Sequence, residues 1–204
     1  MTGPIDFYFD FISPYGYLAS TQIDKIAAKH DREVIWHPFL LGVTVMNVMG
    51  LKPIMDTPLK SDYALIDRPR MAKLFGVPLV IPDLEGVNAL AASRAFYWIN
   101  ESDAKMAREF AIRIFHRLWV DRNDITDAEV VIAEAAAAGV GADALREGLK
   151  QSRTKDLLRD AVDSAIARKV FGAPFFIVDE EPIWGVDRLW MLEHWLEHGH
   201  WEPA

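Results

Sequence analysis

The chain has 204 residues, 51% of them hydrophobic, a formal net charge of −8 and no cysteine. That length and hydrophobicity support a buried core and exclude disorder; the negative charge excludes a nucleic-acid backbone as partner; the missing thiols exclude disulfides, thiolate metal sites and a protein-borne thiol redox cycle. No run reaches the ~18 apolar residues of a membrane span, and the opening M-T-G-P-I-D lacks the basic stretch of a secretory signal, so a cytoplasmic protein with no membrane partner is expected.

Ile5 to Ile12, aromatic and apolar between Pro4 and Pro14, reads as a short buried strand. Ser13 followed by Pro14 is a helix start, an N-cap and a first helical residue. The helix is expected to run to about His30 on the stripe Leu18, Ile23, Ile26 and Ala27, and Glu33–Pro38 reads as a second strand. Leu40 to Thr57, with Gly, Met and Pro and no clear period, reads as an irregular connection. From Leu59 onward the pattern turns helical: Leu59–Phe75, Asn88–Asn100, Asp103–Val120, Asp127–Ala138, Ala142–Lys150 and Arg153–Phe171. The period then returns to that of strands at Phe175–Val178; E-E-P makes a turn, Ile183-Trp184 a short partner strand, and Asp187 opens a last helix to about Glu197.

The order β-α-β, helical block, β-β-α predicts an α/β protein: a thioredoxin-like fold interrupted by a large all-helical insertion. The expected units are a β-α-β half over residues 1–57, a helical insertion over 58–170 and a β-β-α half over 171–204. A ligand is expected in the cleft between insertion and sheet.

Three segments carry chemistry. A thiol redox protein of this plan would place Cys-Pro-x-Cys at the first strand-to-helix turn, where this chain reads Ser13, Pro14, Tyr15, Gly16. Ser13 is either a cap and nothing more, or a hydroxyl that donates to a thiolate brought by a ligand, placed where free backbone N–H groups favour an anion. The second segment is V-F-G-A-P-F-F-I-V, Val170 to Val178. In the thioredoxin plan the Pro before the third strand is cis and faces the first helix, and the residue before it, Ala173, can pair with an extended ligand backbone; the plain alternative is a trans Pro174 in a rigid turn. In W-G-V-D-R-L, Trp184 to Leu189, Asp187 is a cap for the last helix, or also a partner for a ligand ammonium while the helix start takes a carboxylate.

The motifs D-F-Y-F-D-F-x-S-P-Y-x-Y-L, K-V-F-G-x-P and W-G-x-D-R-L-x-M-L-E, collinear over essentially the whole chain, resemble the 2-hydroxychromene-2-carboxylate isomerase family, a relative of kappa-class glutathione transferases and, more remotely, of DsbA-type oxidoreductases. The resemblance implies glutathione as cofactor, with its sulfur at Ser13, its cysteinyl backbone on Ala173 beside cis-Pro174, and its γ-glutamyl end on Trp184, Gly185, Val186, Asp187 and Arg188. The family usually carries Thr after the cis-Pro, where this chain has Phe175, and Val186 offers no side-chain hydrogen bond, so backbone contacts must serve at both places. L-K-S-D-Y-A-L-I-D-R-P-R, Leu59 to Arg70, resembles the segment that lines the family's cleft. Lys60 is then a candidate for the glycyl or a substrate carboxylate, or a solvated lysine; Arg70 a candidate for a substrate carboxylate, or a surface partner of Asp67. Asn88, which matches a residue facing the family's active site, is a candidate substrate contact or only a helix cap, and Tyr15 a candidate substrate contact.

The function so implied is that of a glutathione-dependent isomerase of an aromatic-catabolism intermediate, a small aromatic carboxylate, working by reversible thiolate addition in a homodimer. The alternatives are a kappa-like glutathione transferase, which consumes glutathione, and a non-catalytic peptide-binding module. His194, His198 and His200 in E-H-W-L-E-H-G-H lack the H-E-x-x-H order and read as solvated histidines that complement a helix C-terminus; no metal is expected. Trp36, Trp98 and Trp119 are expected near the cleft as stacking partners for an aromatic ligand.

Overall fold

The computed structural model describes residues 3–202. Met1 and Thr2, which begin the stretch read above for a leader, lie outside the described residues, as do Pro203 and Ala204. Strand β1 (Ile5–Phe9) leads into helix α1 (Pro14–Ser20), α2 (Ile23–Lys29) and β2 (Val34–Pro38). A π-helical turn at Val43–Val48 and a 3-10 turn at Ile54–Asp56 interrupt the irregular connection. Helices α3 (Lys60–Phe75), α4 (Leu90–Asn100), α5 (Ala104–Trp119), α6 (Ala128–Ala137), α7 (Ala142–Lys150) and α8 (Ser152–Ala167) follow, then β3 (Phe175–Val178), β4 (Glu181–Trp184), a 3-10 turn at Val186–Arg188 and α9 (Leu189–His198).

The strands form one mixed sheet in the order β2-β1-β3-β4. β1 runs parallel to β2 and antiparallel to β3, with Phe7 opposite Trp36 on one side and Phe176 on the other. This is the expected thioredoxin-like arrangement with its helical insertion between β2 and β3. Side chains alternate across the sheet, as the pleat requires. Ile5, Phe7 and Phe9 face one core with Trp36, Phe96, Phe115 and Phe176. Tyr8, Phe175 and Ile177 face a second core, capped by Leu158, Val162 and Ala165 of α8. The sheet is therefore sandwiched between helical layers, and burial of these aromatic rings is the main source of stability.

On the α8 side the sheet also carries a polar clasp. Asp6 binds His37 Nε2 at 2.8 Å and Arg168 Nη1 at 2.6 Å, and Arg168 donates to the Tyr8 hydroxyl at 2.7 Å. Burial opposes ionisation of Asp6, but His37 and Arg168 together hold its pKa below the ordinary carboxylate value.

Several boundaries differ from expectation. β1 stops at Phe9, because the Asp10 carboxylate turns back to accept from Ile12 N–H at 3.1 Å. The first helix breaks in two: Ser20 and Thr21 donate to the carbonyls of Tyr17 and Leu18, each at 2.7 Å, and a new helix starts at Ile23. Side-chain bonds to the preceding turn compete with helix continuation in this way. The turn between β3 and β4 is Asp179-Glu180, both at positive φ, so Glu181 and Pro182 already belong to the strand. No helix among the described residues is long and apolar enough to cross a membrane.

Candidate active site

The site is built where α1 begins and the β3 segment arrives. Ser13, extended at φ −93° and ψ 115°, caps α1: its Oγ accepts from Gly16 N–H at 3.1 Å. The same hydroxyl donates to the Ala173 carbonyl at 3.2 Å. Ser13 is 5% exposed, so the bond is shielded on most sides. The Ala173-Pro174 peptide is cis. Pro174's carbonyl accepts from Gly185 N–H at 3.1 Å, which ties the loop before β3 to the W-G-V-D segment. The backbone N–H of Ala173 makes no backbone hydrogen bond among the described residues.

Two glycines let these segments approach. A Cβ on Gly172 would lie 2.3 Å from Trp184 Nε1, so the indole needs a glycine beneath it. Gly185 has φ +107°, and a Cβ there would meet Asp187 Oδ1 at 2.4 Å. Trp184 packs on Phe171 with ring centroids 4.9 Å apart, and Phe171 on Phe175 at 5.2 Å. Phe171 and Trp184 are both exposed. This aromatic wall stands beside the cis-proline, and the buried Phe175 backs it through Phe171.

Across α1, the Tyr15 hydroxyl donates to Asp67 Oδ2 of α3 at 2.8 Å. Burial and the Asp67 carboxylate push the Tyr15 phenol above its ordinary value, so it stays protonated at neutral pH. Arg68, the next residue on α3, is 3% exposed. Asp10, three residues before Ser13, is 2% exposed. Its Oδ2 accepts from Leu41 N–H at 2.8 Å, and its backbone carbonyl accepts from Ser13 N–H at 3.0 Å. Burial pushes its carboxyl up to about 6, against the pull of the N–H groups of Leu41 and Ile12.

The structure thus brings Ser13, Ala173, Pro174, Trp184 and Gly185 together, with Tyr15 close by. Lys60, Arg70, Asn88, Asp187 and Arg188 are exposed. Arg70 does not take Asp67, whose carboxylate holds Tyr15 and, at 3.4 Å, the Tyr63 hydroxyl. Asn88 lies before its helix, with Oδ1 accepting from Leu90 N–H at 3.1 Å. Asp187 is not an N-cap: it sits inside the 3-10 turn, pairs with Arg188 at 3.2 Å, and α9 starts only at Leu189. The positive φ of Gly185 delays that helix. Asp187 and buried Val186 also border a cavity of about 400 Å³ shared with Lys25, Lys29 and Trp190. Trp36 and Trp119 lie in the core and Trp119 donates to the Phe11 carbonyl at 2.8 Å, while the Trp98 indole covers Gly148. The aromatic rings around the Ser13–Ala173 contact are instead Tyr15, in the first turn of α1, and Trp184 on Phe171, beside Gly172. Arg68 and Asp10 went unrecognised in the sequence. A carboxylate at the strand end, just before the turn to Ser13, was the available signal for Asp10. His194 and His198 face each other at 4.5 Å, and among the described residues no group of three His, Cys, Asp or Glu is placed to hold a metal.

The model of the DSBA-like thioredoxin domain matches residues 4–197. A 2-hydroxychromene-2-carboxylate isomerase of Sphingobium xenophagum is 31% identical over 197 residues, 96% of this chain and 99% of that protein. The chain belongs to the DSBA-like thioredoxin family, on its 2-hydroxychromene-2-carboxylate isomerase branch. Among solved structures, a 2-hydroxychromene-2-carboxylate isomerase superposes with a TM-score of 0.85 at 28% identity, covering 95% of this chain and 94% of that one. A relative on the neighbouring branch, glutathione S-transferase kappa 1 of Caenorhabditis elegans, is 27% identical over 205 residues, 95% of this chain and 90% of that protein. These relatives are enzymes and so is this isomerase-family chain, which sets aside the non-catalytic peptide-binding alternative.

Proposed function

We propose that the protein is a glutathione-dependent isomerase of a small aromatic carboxylate, of the kind that its relatives' names describe. The observation that carries this proposal is the Ser13 hydroxyl held between Gly16 N–H and the Ala173 carbonyl, in a chain with no cysteine of its own. The residues present fit glutathione: a hydroxyl at the start of α1, an uncommitted Ala173 N–H beside a cis-proline, and an exposed Asp187 along the same wall.

Bound glutathione would supply a thiol that adds reversibly to a conjugated substrate, loosens a double bond for rotation, and leaves unchanged. Ser13 would turn its proton from the Ala173 carbonyl toward that sulfur and hold it as the thiolate. Ala173 would then be free to pair with the cysteinyl backbone through both N–H and C=O. Trp184 and Gly185 would wall the peptide, with Asp187 meeting the α-ammonium. Phe171, Trp184 and Tyr15 would give an aromatic substrate its apolar surfaces. Tyr15, protonated and fixed on Asp67, acts as a positioned wall and not as a base.

The test is calorimetric titration of the protein with reduced glutathione beside Ser13→Ala, followed by turnover of 2-hydroxychromene-2-carboxylate. Saturable binding, and product formation without loss of glutathione, are expected. No binding at millimolar glutathione would overturn glutathione dependence. The similarity to a kappa-class glutathione transferase favours a second outcome, net thioether formation, which the same assay reads as glutathione consumed. A homodimer is proposed on the family relationship, to be checked by sedimentation.

A further inference from the structure

Arg68 is a buried cation that the fold leaves unanswered. Its residue surface is 3% exposed. Arg32, Arg108, Arg117 and Arg168 each hold a carboxylate. Arg68 forms no ion pair among the described residues: Nη2 touches the thioether of Met55 at 2.8 Å, and Nε is buried with no partner. A thioether is a weak acceptor on a flexible side chain. Burial lowers the Arg68 pKa, and only the Tyr15 hydroxyl, a neutral group, acts to raise it. A guanidinium stripped of water in this way is costly to the fold unless an anion completes it.

The location of Arg68 gives that anion an origin. Asp67, next in the chain, fixes the Tyr15 hydroxyl, and Tyr15 stands two residues beyond Ser13 in the first turn of α1. Arg68 lies close enough to the Tyr15 hydroxyl for each to affect the other's titration. It is thus packed beside the first turn of α1, against the 3-10 turn at Ile54–Asp56 that carries Met55. Met55 is 38% exposed, so a ligand group could displace it without opening the core. Lys60 and Arg70, the cations that the sequence suggested for this task, lie exposed to solvent.

We propose that Arg68 is the carboxylate receptor of the Ser13 cleft: a ligand carboxylate replaces the Met55 thioether and meets the guanidinium through two N–H groups. The planar fork suits a carboxylate, and a desolvated pair of this kind is strong. The proposal rests on glutathione and an aromatic carboxylate being the ligands of the cleft. Either can bring the group, one as its glycyl carboxylate and the other as its only acid.

The experiment compares the wild type with Arg68→Met and Arg68→Lys. Four probes are titrated: reduced glutathione, glutathione esterified at its glycyl carboxylate, 2-hydroxychromene-2-carboxylate and its methyl ester. Arg68→Met is expected to weaken one of the two acids at least tenfold, to leave the matching ester within twofold, and to melt no lower than the wild type. Arg68→Lys is expected to recover part of the lost affinity. Loss with glutathione assigns the glycyl end, and loss with the chromene acid assigns the substrate. Equal losses for acid and ester, or no loss for either acid, would overturn the proposal. If Arg68→Met fails to fold, wild-type affinity of Arg68→Lys for both acids overturns it as well. If the wild type binds no glutathione, glutathione dependence alone fails, and the chromene pair still decides the role of Arg68.

Discussion

The Ser13 hydroxyl donates to the Ala173 carbonyl at 3.2 Å, across a sequence separation of 160 residues. One proton thereby joins the start of α1 to the cis-proline loop. Ser13 has two duties that a substitution can separate: it caps α1 through Gly16 N–H, and it spans the cleft. Ser13→Ala removes both. A loss of about 1 kcal/mol in stability is expected for the cap, read by thermal or urea unfolding, together with a fall in turnover of at least a hundredfold. Turnover equal to the wild type would show that the hydroxyl serves the helix alone.

Gly172 and Trp184 form a second separable pair. Gly172→Ala places a methyl 2.3 Å from Trp184 Nε1. The indole must move, and a cost of about 1–3 kcal/mol is expected for such overpacking. Trp184→Leu removes the obstacle, so Gly172→Ala is expected to cost less on that background than on the wild type. A double-mutant cycle by chemical denaturation measures the coupling. Additive losses would mean that the methyl is accommodated elsewhere.

The two acids of the β1 segment have opposite pH signatures. Burial raises the Asp10 carboxyl in the folded protein to about 6, above the ordinary aspartate value of 3.8. The native state therefore holds more protons than the unfolded chain between these values, and stability falls as pH rises through that window. The fall is on the order of 2–3 kcal/mol. Asp6 is shifted downward, so its contribution is complete above its unfolded pKa and is lost as the solution becomes more acidic than that. Unfolding free energies between pH 4 and 7 are expected to decline in the wild type and to flatten in Asp10→Asn. Arg168→Met is expected to lower stability at neutral pH and to make its further loss below pH 4 shallower, because Asp6 with one partner fewer is held less far below its unfolded pKa. A wild-type curve that is flat from pH 4 to 7 would refute the raised Asp10.

Tyr15→Phe deletes the bond to Asp67 and nothing else of the ring. A stability loss of about 0.5–1.5 kcal/mol is expected. Because the phenol titrates above its ordinary range, the turnover profile between pH 6 and 9 is expected to keep its shape and change only in height. A profile that loses an ionisation in this variant would make Tyr15 an acid-base group.

The sheet and its helical interruption were legible in the sequence because their signals are local: the aromatic-rich run of β1 between Pro4 and Pro14, the Ser13-Pro14 start, the change of period at Phe175. The elements that were misread depend on contacts far along the chain or on a single side-chain bond. Nothing near Ser20 and Thr21 announces that their hydroxyls will turn back on α1 and end it. Asp10 looks like a strand-end turn residue until Leu41 arrives to cover it. In R-P-R, Arg68 and Arg70 are equivalent as letters. The rotation of α3 against α1 buries the first and exposes the second. Asp187 has the residue type of a cap but not the position, since the left-handed Gly185 inserts a 3-10 turn before α9.

The β1–β3 pairing, Ile5 against Val178 through Tyr8 against Phe175, bears on how the chain is made. During synthesis Ser13 leaves the ribosome long before Ala173 exists, and the inner edge of β1 must wait for a strand that is translated only after helices α3 to α8. The growing polypeptide can fold its helices early, since their contacts are near neighbours. The Ser13–Ala173 contact forms only when the β3 segment docks, so a product interrupted before it carries an unpaired, aromatic-rich strand edge. Any fragment that stops before Phe175 is expected to be a client for chaperones and proteases and to have no catalysis at all.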